Sequence, residues 1–188
     1  MNVTLMKNSR STRPSRRAGL RAAAAGFVTI AALTLAAAAD PMLVEEKKVL
    51  TLAGAKSVAA AAASEARRNQ AGGAIAVVDD GGNLLYLERL DGTFAAAANI
   101  AIGKARSAAN FRRDTRVFED AIRNGRTSLI ANPELLPLQG GVAILVDGKV
   151  VGGVGVAGAN SAQQDEDIAK LAAATLGSST AVAQGGGR

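Results

Sequence analysis

The sequence predicts an α+β domain: a central antiparallel β-sheet packed by helices. Two observations carry this. Two pairs of short apolar runs, 74–79 with 83–89 and 142–146 with 149–157, are each joined through an Asp-Gly turn, the signature of a β-hairpin. Around them lie four stretches whose apolar residues recur every three or four positions, giving the order helix, hairpin, two helices, hairpin, helix. Direct hairpins favour antiparallel pairing with helices covering the sheet.

Thr51 is the expected N-cap of the first helix, in which Leu52, Ala55, Ala59, Ala62, Ala63 and Ala66 keep helical spacing. Arg67 and Arg68 suit its C-terminal end, and Gly72-Gly73 stops it. In the hairpin that follows, alternation places Leu85 and Leu87 on one face and Leu84, Tyr86 and Glu88 on the other. Leu90-Asp91-Gly92 makes a further turn.

The second helix is expected over 95–111, with Lys104 set in an otherwise small, apolar stripe. Its side chain either snorkels along that surface to water or meets an anion. Thr115 is the expected cap of a third helix that ends near Asn124-Gly125, with Val117, Phe118, Ala121 and Ile122 as its apolar side. Residues 126–139, with two prolines and no period, read as an ordered loop with one short helical turn, and this loop is also the candidate for a fifth strand.

Gly140-Gly141 opens the second hairpin, and Asp147-Gly148 turns it. Gly152, Gly153 and Gly155 within its second strand mark close approach by a backbone, a ligand or a subunit. Asn160 and Ser161 are alternative caps for a last helix that ends near Leu176, before Gly177. The expected organisation is an export signal at 1–39, an approach segment at 40–48, one domain at 49–177 and a flexible tail at 178–188.

The leader rests on charge and hydropathy. Residues 1–39 carry six basic side chains and no acid, whereas 40–188 carry 16 of each sign, so the net +6 belongs to the leader. Basic residues up to Arg21, an alanine-rich apolar run at 22–39 and small residues at its end fit a cleavable signal, a retained anchor being the alternative. Arg16-Arg17 resembles a twin-arginine signal, although Gly19 stands where a large apolar residue is expected. A periplasmic or secreted product follows, with no stable membrane insertion once the signal is removed.

The chain has no His and no Cys. That excludes His- or Cys-based nucleophilic triads, disulfides, zinc fingers and histidine-ligated haem iron. Acid–base work would fall to Asp, Glu, Lys or the single Tyr86. The glycines at 152–158 lie inside a strand and out of dinucleotide-loop order. Nucleic acid is not an expected partner, since the chain after the leader is neutral and poor in aromatic stacking platforms. The basic run Lys104, Arg106, Arg112, Arg113, Arg116, Arg123 and Arg126 suits a ligand's carboxylates or phosphate, or a solvated helix face balanced by acids of another subunit. Asp165-Glu166-Asp167 reads as charge complementarity at a helix start.

Several ordered stretches carry a family resemblance: 76–79 with 82–85, Glu88 to Gly92, Ile100 to Ala108 with Phe111, Gly140 to Ile144, Gly148 to Gly158, and Gln164 to Ala169. Together they resemble the GlcG/HbpS family of small haem-binding-like domains, which also appears at the C-terminal side of PduO-type proteins. The resemblance implies a profilin-like α+β domain, a homo-oligomer in some members, and, in one branch, a secreted haem sensor. Other relatives sit among genes for glycolate, diol or aromatic degradation. It points to Arg89, Asp91, Lys104, Phe111, Thr115, Gly140, Gly141, Gln164 and Asp165 as pocket or interface positions. Arg106 and Arg112 join them as cations for ligand carboxylates, with Leu85, Leu87 and Phe111 as apolar walls.

The expected function is an exported small-ligand binding protein, with haem or another tetrapyrrole the first candidate cofactor, held without histidine. An enzyme or auxiliary protein of carboxylic-acid or diol metabolism is the alternative, and it would need Asp79, Glu88, Asp91, Asp165 or Lys104 to converge. An exported oligomeric structural protein is the other.

Overall fold

The computed structural model describes residues 45–184, with side chains to 177. The export signal, the first residues of the approach segment and the last four residues lie outside that range. The elements are α1 (Leu52–Arg68), β1 (Ala74–Asp79), β2 (Leu84–Arg89), α2 (Ala97–Phe111), α3 (Arg116–Arg123), a 3-10 turn (Thr127–Ala131), β3 (Gly141–Val146), β4 (Lys149–Ala157) and α4 (Ala162–Gln184). The α+β expectation holds. The four strands form one antiparallel sheet in the order β2-β1-β4-β3, and the loop before Gly140 adds no fifth strand.

The sheet separates two cores of different grain. Ile75, Val77, Val142, Ile144, Val154 and Val156 face α1 and α4. The opposite positions carry Ala74, Ala76, Val78 and Ala157, against which α2 lays Ala97, Ala101, Ala105 and Ala109. Gly153 and Gly155 belong to this second face, whereas Gly152 lies toward Leu50 on the other. A Cβ on Gly155 would collide with the carbonyl of Ala101, and one on Gly153 with that of Ala105. Of the three readings of these glycines, the intramolecular one holds: the α2 backbone occupies the space at Gly153 and Gly155, and the Val78 carbonyl of β1 does so at Gly152.

Local chemistry explains the boundaries. The Thr51 hydroxyl accepts from the Gly54 amide at 3.1 Å and caps α1 as expected. Asp147 and Gly148 both take positive φ (51° and 74°), the demand of a tight hairpin turn. Asp79 Oδ1 accepts from the amides of Gly81 and Asn83 at 2.9 and 2.8 Å, closing the first hairpin.

Four expectations change. Val77 pairs with Tyr86 and Val78 with Leu84, so Leu85 is the extra residue of a β-bulge. The bulge breaks the alternation: Leu87 lies opposite Ala76 on the α2 face, while Leu85 packs on the α1/α4 core. Thr115 precedes α3 but its side chain does not cap it, being engaged elsewhere. The side of α3 expected to be apolar contributes no buried residue. α4 continues past Gly177 to Gln184, because a single glycine weakens a helix without stopping it.

Candidate functional site

A buried ion pair at the mouth of the second hairpin organises most of the residues singled out in the sequence. Lys104 projects from α2 and is 4% exposed. Its Nζ donates to Asp165 Oδ2 and to the Val156 carbonyl, both at 2.9 Å. Lys104 therefore does not snorkel to water, and the anion it meets belongs to its own chain. Asp165 Oδ1 accepts from the Ala159 amide at 2.9 Å, which ties the β4–α4 connection to the pair.

Gly140 sits directly on this pair. Its φ is +115°, and a Cβ there would lie 2.9 Å from Lys104 Nζ and 2.8 Å from Asp165 Cβ, so both conformation and space require glycine. Gly141 lies against the Lys104 carbonyl. Its amide donates to the Thr115 hydroxyl at 2.9 Å, and that hydroxyl donates to the Leu138 carbonyl at 2.6 Å. Gln164 Oε1 accepts from the Asn160 amide, and its own amide donates to Ser161 Oγ, so Ser161 is the side-chain cap of α4.

A second polar centre was not visible in the residue pattern. Glu166 is 1% exposed, and its carboxylate accepts from Arg116 at 3.1 Å and Gln139 at 2.5 Å and pairs with Lys170 at 2.6 Å. Burial pushes its carboxyl up, but the bonds from Lys170, Gln139 and Arg116 prevail and hold it below the ordinary range. Asp114 shows the opposite balance: burial raises it above its ordinary value, and the amide of Ala143 only partly offsets this. The Glu166–Lys170 spacing of four was the one available signal; Arg116 and Gln139 are distant in sequence. Arg116 and Arg123 find their acids within this chain, at Glu166, Asp120 and Glu119.

The remaining predicted residues lie elsewhere. Arg89 and Asp91 line a separate polar hollow of about 520 Å³ beside Arg67 and Glu88. Arg106 Nε donates to the Gly82 carbonyl. Phe111 meets Phe118 edge-on, with centroids 5.5 Å apart, and Leu85 and Leu87 lie on opposite faces of the sheet, so the three do not form one wall. Arg112, at positive φ after α2, lines a cavity of about 600 Å³ with Lys47, Lys48, Lys149, Glu45, Asp80, Leu145 and Val150. The five residues that an enzyme would need do not share one cleft: Glu88 and Asp91 line the polar hollow, Lys104 and Asp165 pair with each other elsewhere, and Asp79 closes the turn at the far end of β1.

The family described as "Haem degrading protein HbpS-like" matches residues 50–174. The chain belongs to the HbpS-like family. A double mutant of Streptomyces reticuli HbpS superposes with TM-score 0.67 at 34% identity, over 74% of this chain and 95% of that one. A PduOC–heme complex superposes with TM-score 0.61 at 26% identity, over 68% and 94%. Escherichia coli GlcG is 47% identical over 76 residues, 40% of this chain, and the match spans just over half of GlcG's own length (57%).

This HbpS-like chain lacks histidine and cysteine as donors to a haem iron. Tyr86 packs on the α1/α4 core, and Lys104 is spent on Asp165 and Val156. Among the described residues, no group of three or more His, Cys, Asp or Glu side chains is arranged to hold a metal ion, and no buried side-chain polar atom lacks a partner. Among them, too, no helix is long and apolar enough to cross a membrane.

Proposed function

We propose that this protein is an exported small-ligand binding protein whose ligand is of the tetrapyrrole class, held by its carboxylates and its apolar face and not through side-chain nitrogen or sulfur on iron. The observation that carries this reading is the cavity beside Arg112. Four cations line it, Lys47, Lys48, Arg112 and Lys149, next to the apolar side chains of Leu145 and Val150. Cations beside apolar surface suit a flat dicarboxylate. The haem complex of a relative that superposes over most of its length supports the ligand class, and the leader at 1–39 supports export. In this reading Lys104, Asp165, Gly140 and Gly141 build the scaffold, and Arg112 serves the ligand.

Titration of the purified chain with hemin, against a protein-free control, tests this. A saturable Soret change is expected. Metal-free porphyrin should bind with comparable affinity, and Arg112→Ala should weaken both about two- to fivefold, the scale of a partly exposed charge contact. Absence of a saturable change in protein shown to be folded would overturn the reading.

A further inference from the structure

The approach to the domain is fastened in an unusual way. Residues 45–49 make no backbone–backbone hydrogen bond among the described residues, and the first buried side chain is Leu50. What holds the segment is a set of three lysine–carboxylate pairs to the turns of both hairpins. Lys47 Nζ lies 2.9 Å from Asp80 in the β1–β2 turn, Lys48 pairs with Asp147 in the β3–β4 turn, and Lys149 Nζ lies 2.8 Å from Glu45. In each pair at least one side chain is half-exposed or more. Such pairs are individually weak and screened by salt. These same lysines line the cavity beside Arg112, whose own guanidinium has no carboxylate partner among the described residues.

We propose that residues 45–49 are a strap that changes partners: an arriving dicarboxylate takes Lys47, Lys48 and Lys149 from Asp80, Asp147 and Glu45, so that the ligand, in place of the hairpin turns, holds the strap. This rests on the ligand reading above and adds its regulation. The chain's own carboxylates occupy the cations that the ligand needs. They compete with it at low salt and keep the cavity closed to monoanions, which cannot replace several pairs at once. Glu46 pairs with nothing among the described residues and serves as the internal control.

The test uses the full chain, with metal-free coproporphyrin as a diamagnetic probe. Porphyrin fluorescence reports binding, and ¹H–¹⁵N heteronuclear NOE values report the order of residues 46–49. These residues are expected to be ordered in the free protein and to remain ordered on saturation with coproporphyrin. Asp80→Asn with Asp147→Asn should lower the NOE values without ligand and tighten binding about two- to tenfold, and saturation of this double variant with coproporphyrin should restore them. Asn tolerates the positive φ at position 147, so the turn survives. Glu46→Gln, which also removes negative charge, should leave the NOE values unchanged. NOE values in the double variant that coproporphyrin does not restore, or equal tightening by Glu46→Gln, would overturn the strap while sparing the ligand reading. Failure of every form to bind coproporphyrin would overturn both.

Discussion

Lys104 and Asp165 are buried together, which makes them costly to separate. Lys104→Ala leaves an unpaired carboxylate beside Gly140 and should lower stability by about 3–5 kcal/mol in a denaturant titration. Lys104→Met with Asp165→Asn should recover part of that loss, since removing both charges costs less than stranding one. Recovery absent from the double variant would show that packing, not charge, is what Lys104 supplies. Glu166 carries the pH dependence. Its native carboxyl lies below the ordinary value of 4.5, so its contribution is fully present above that value and is lost as pH falls through the depressed native one. Glu166→Gln should therefore cost about 1–3 kcal/mol at pH 7, and the penalty should shrink on acidification. Asp114 has the reverse sign. Its raised carboxyl favours folding below the ordinary value of 3.8 and loses that contribution as pH rises through the native one. Asp114→Asn should raise the thermal midpoint at pH 7 and leave it unchanged at strongly acid pH.

The glycines of β4 set how α2 docks. Gly155→Ala drives a methyl into the Ala101 carbonyl; it should cost at least about 1–3 kcal/mol, whereas alanine at exposed Gly92 meets no neighbouring atom and pays only for its positive φ. Denaturation midpoints of the two variants give the comparison. Elements of this kind were legible in the sequence, because turn residues and periodicity act locally: β1 and β4 have the expected bounds, and Thr51 caps α1. The bulge at Leu85 was not legible, since a strand's pairing partner decides where the extra residue falls. The site was half legible. The family pattern gathered Lys104, Thr115, Gly140, Gly141, Gln164 and Asp165, which do meet around the start of α4. It did not separate them from Arg89 and Asp91. Contacts across dozens of residues, such as Arg116 and Gln139 on Glu166, leave no local trace.

At the scale of the molecule, β1 and β4 pair in the centre of the sheet, so neither hairpin stands as a sheet of its own. Unfolding should be a single transition. Tyr86, the chain's one tyrosine, reports on edge strand β2, and far-ultraviolet circular dichroism reports on the helices. The two signals should lose native character at the same urea concentration, and earlier loss from Tyr86 would show that β2 peels away first. The unequal grain of the two cores also bears on redesign. Between α2 and the sheet the filling is mainly alanine methyls and bare backbone, with Val78 the largest fully buried side chain, so little there can be pared away to make a void. On the other side, trimming Ile75, Ile144 or Val154 would leave space that a small apolar guest such as benzene can occupy. As a container, the domain is better hollowed from one side than from the other.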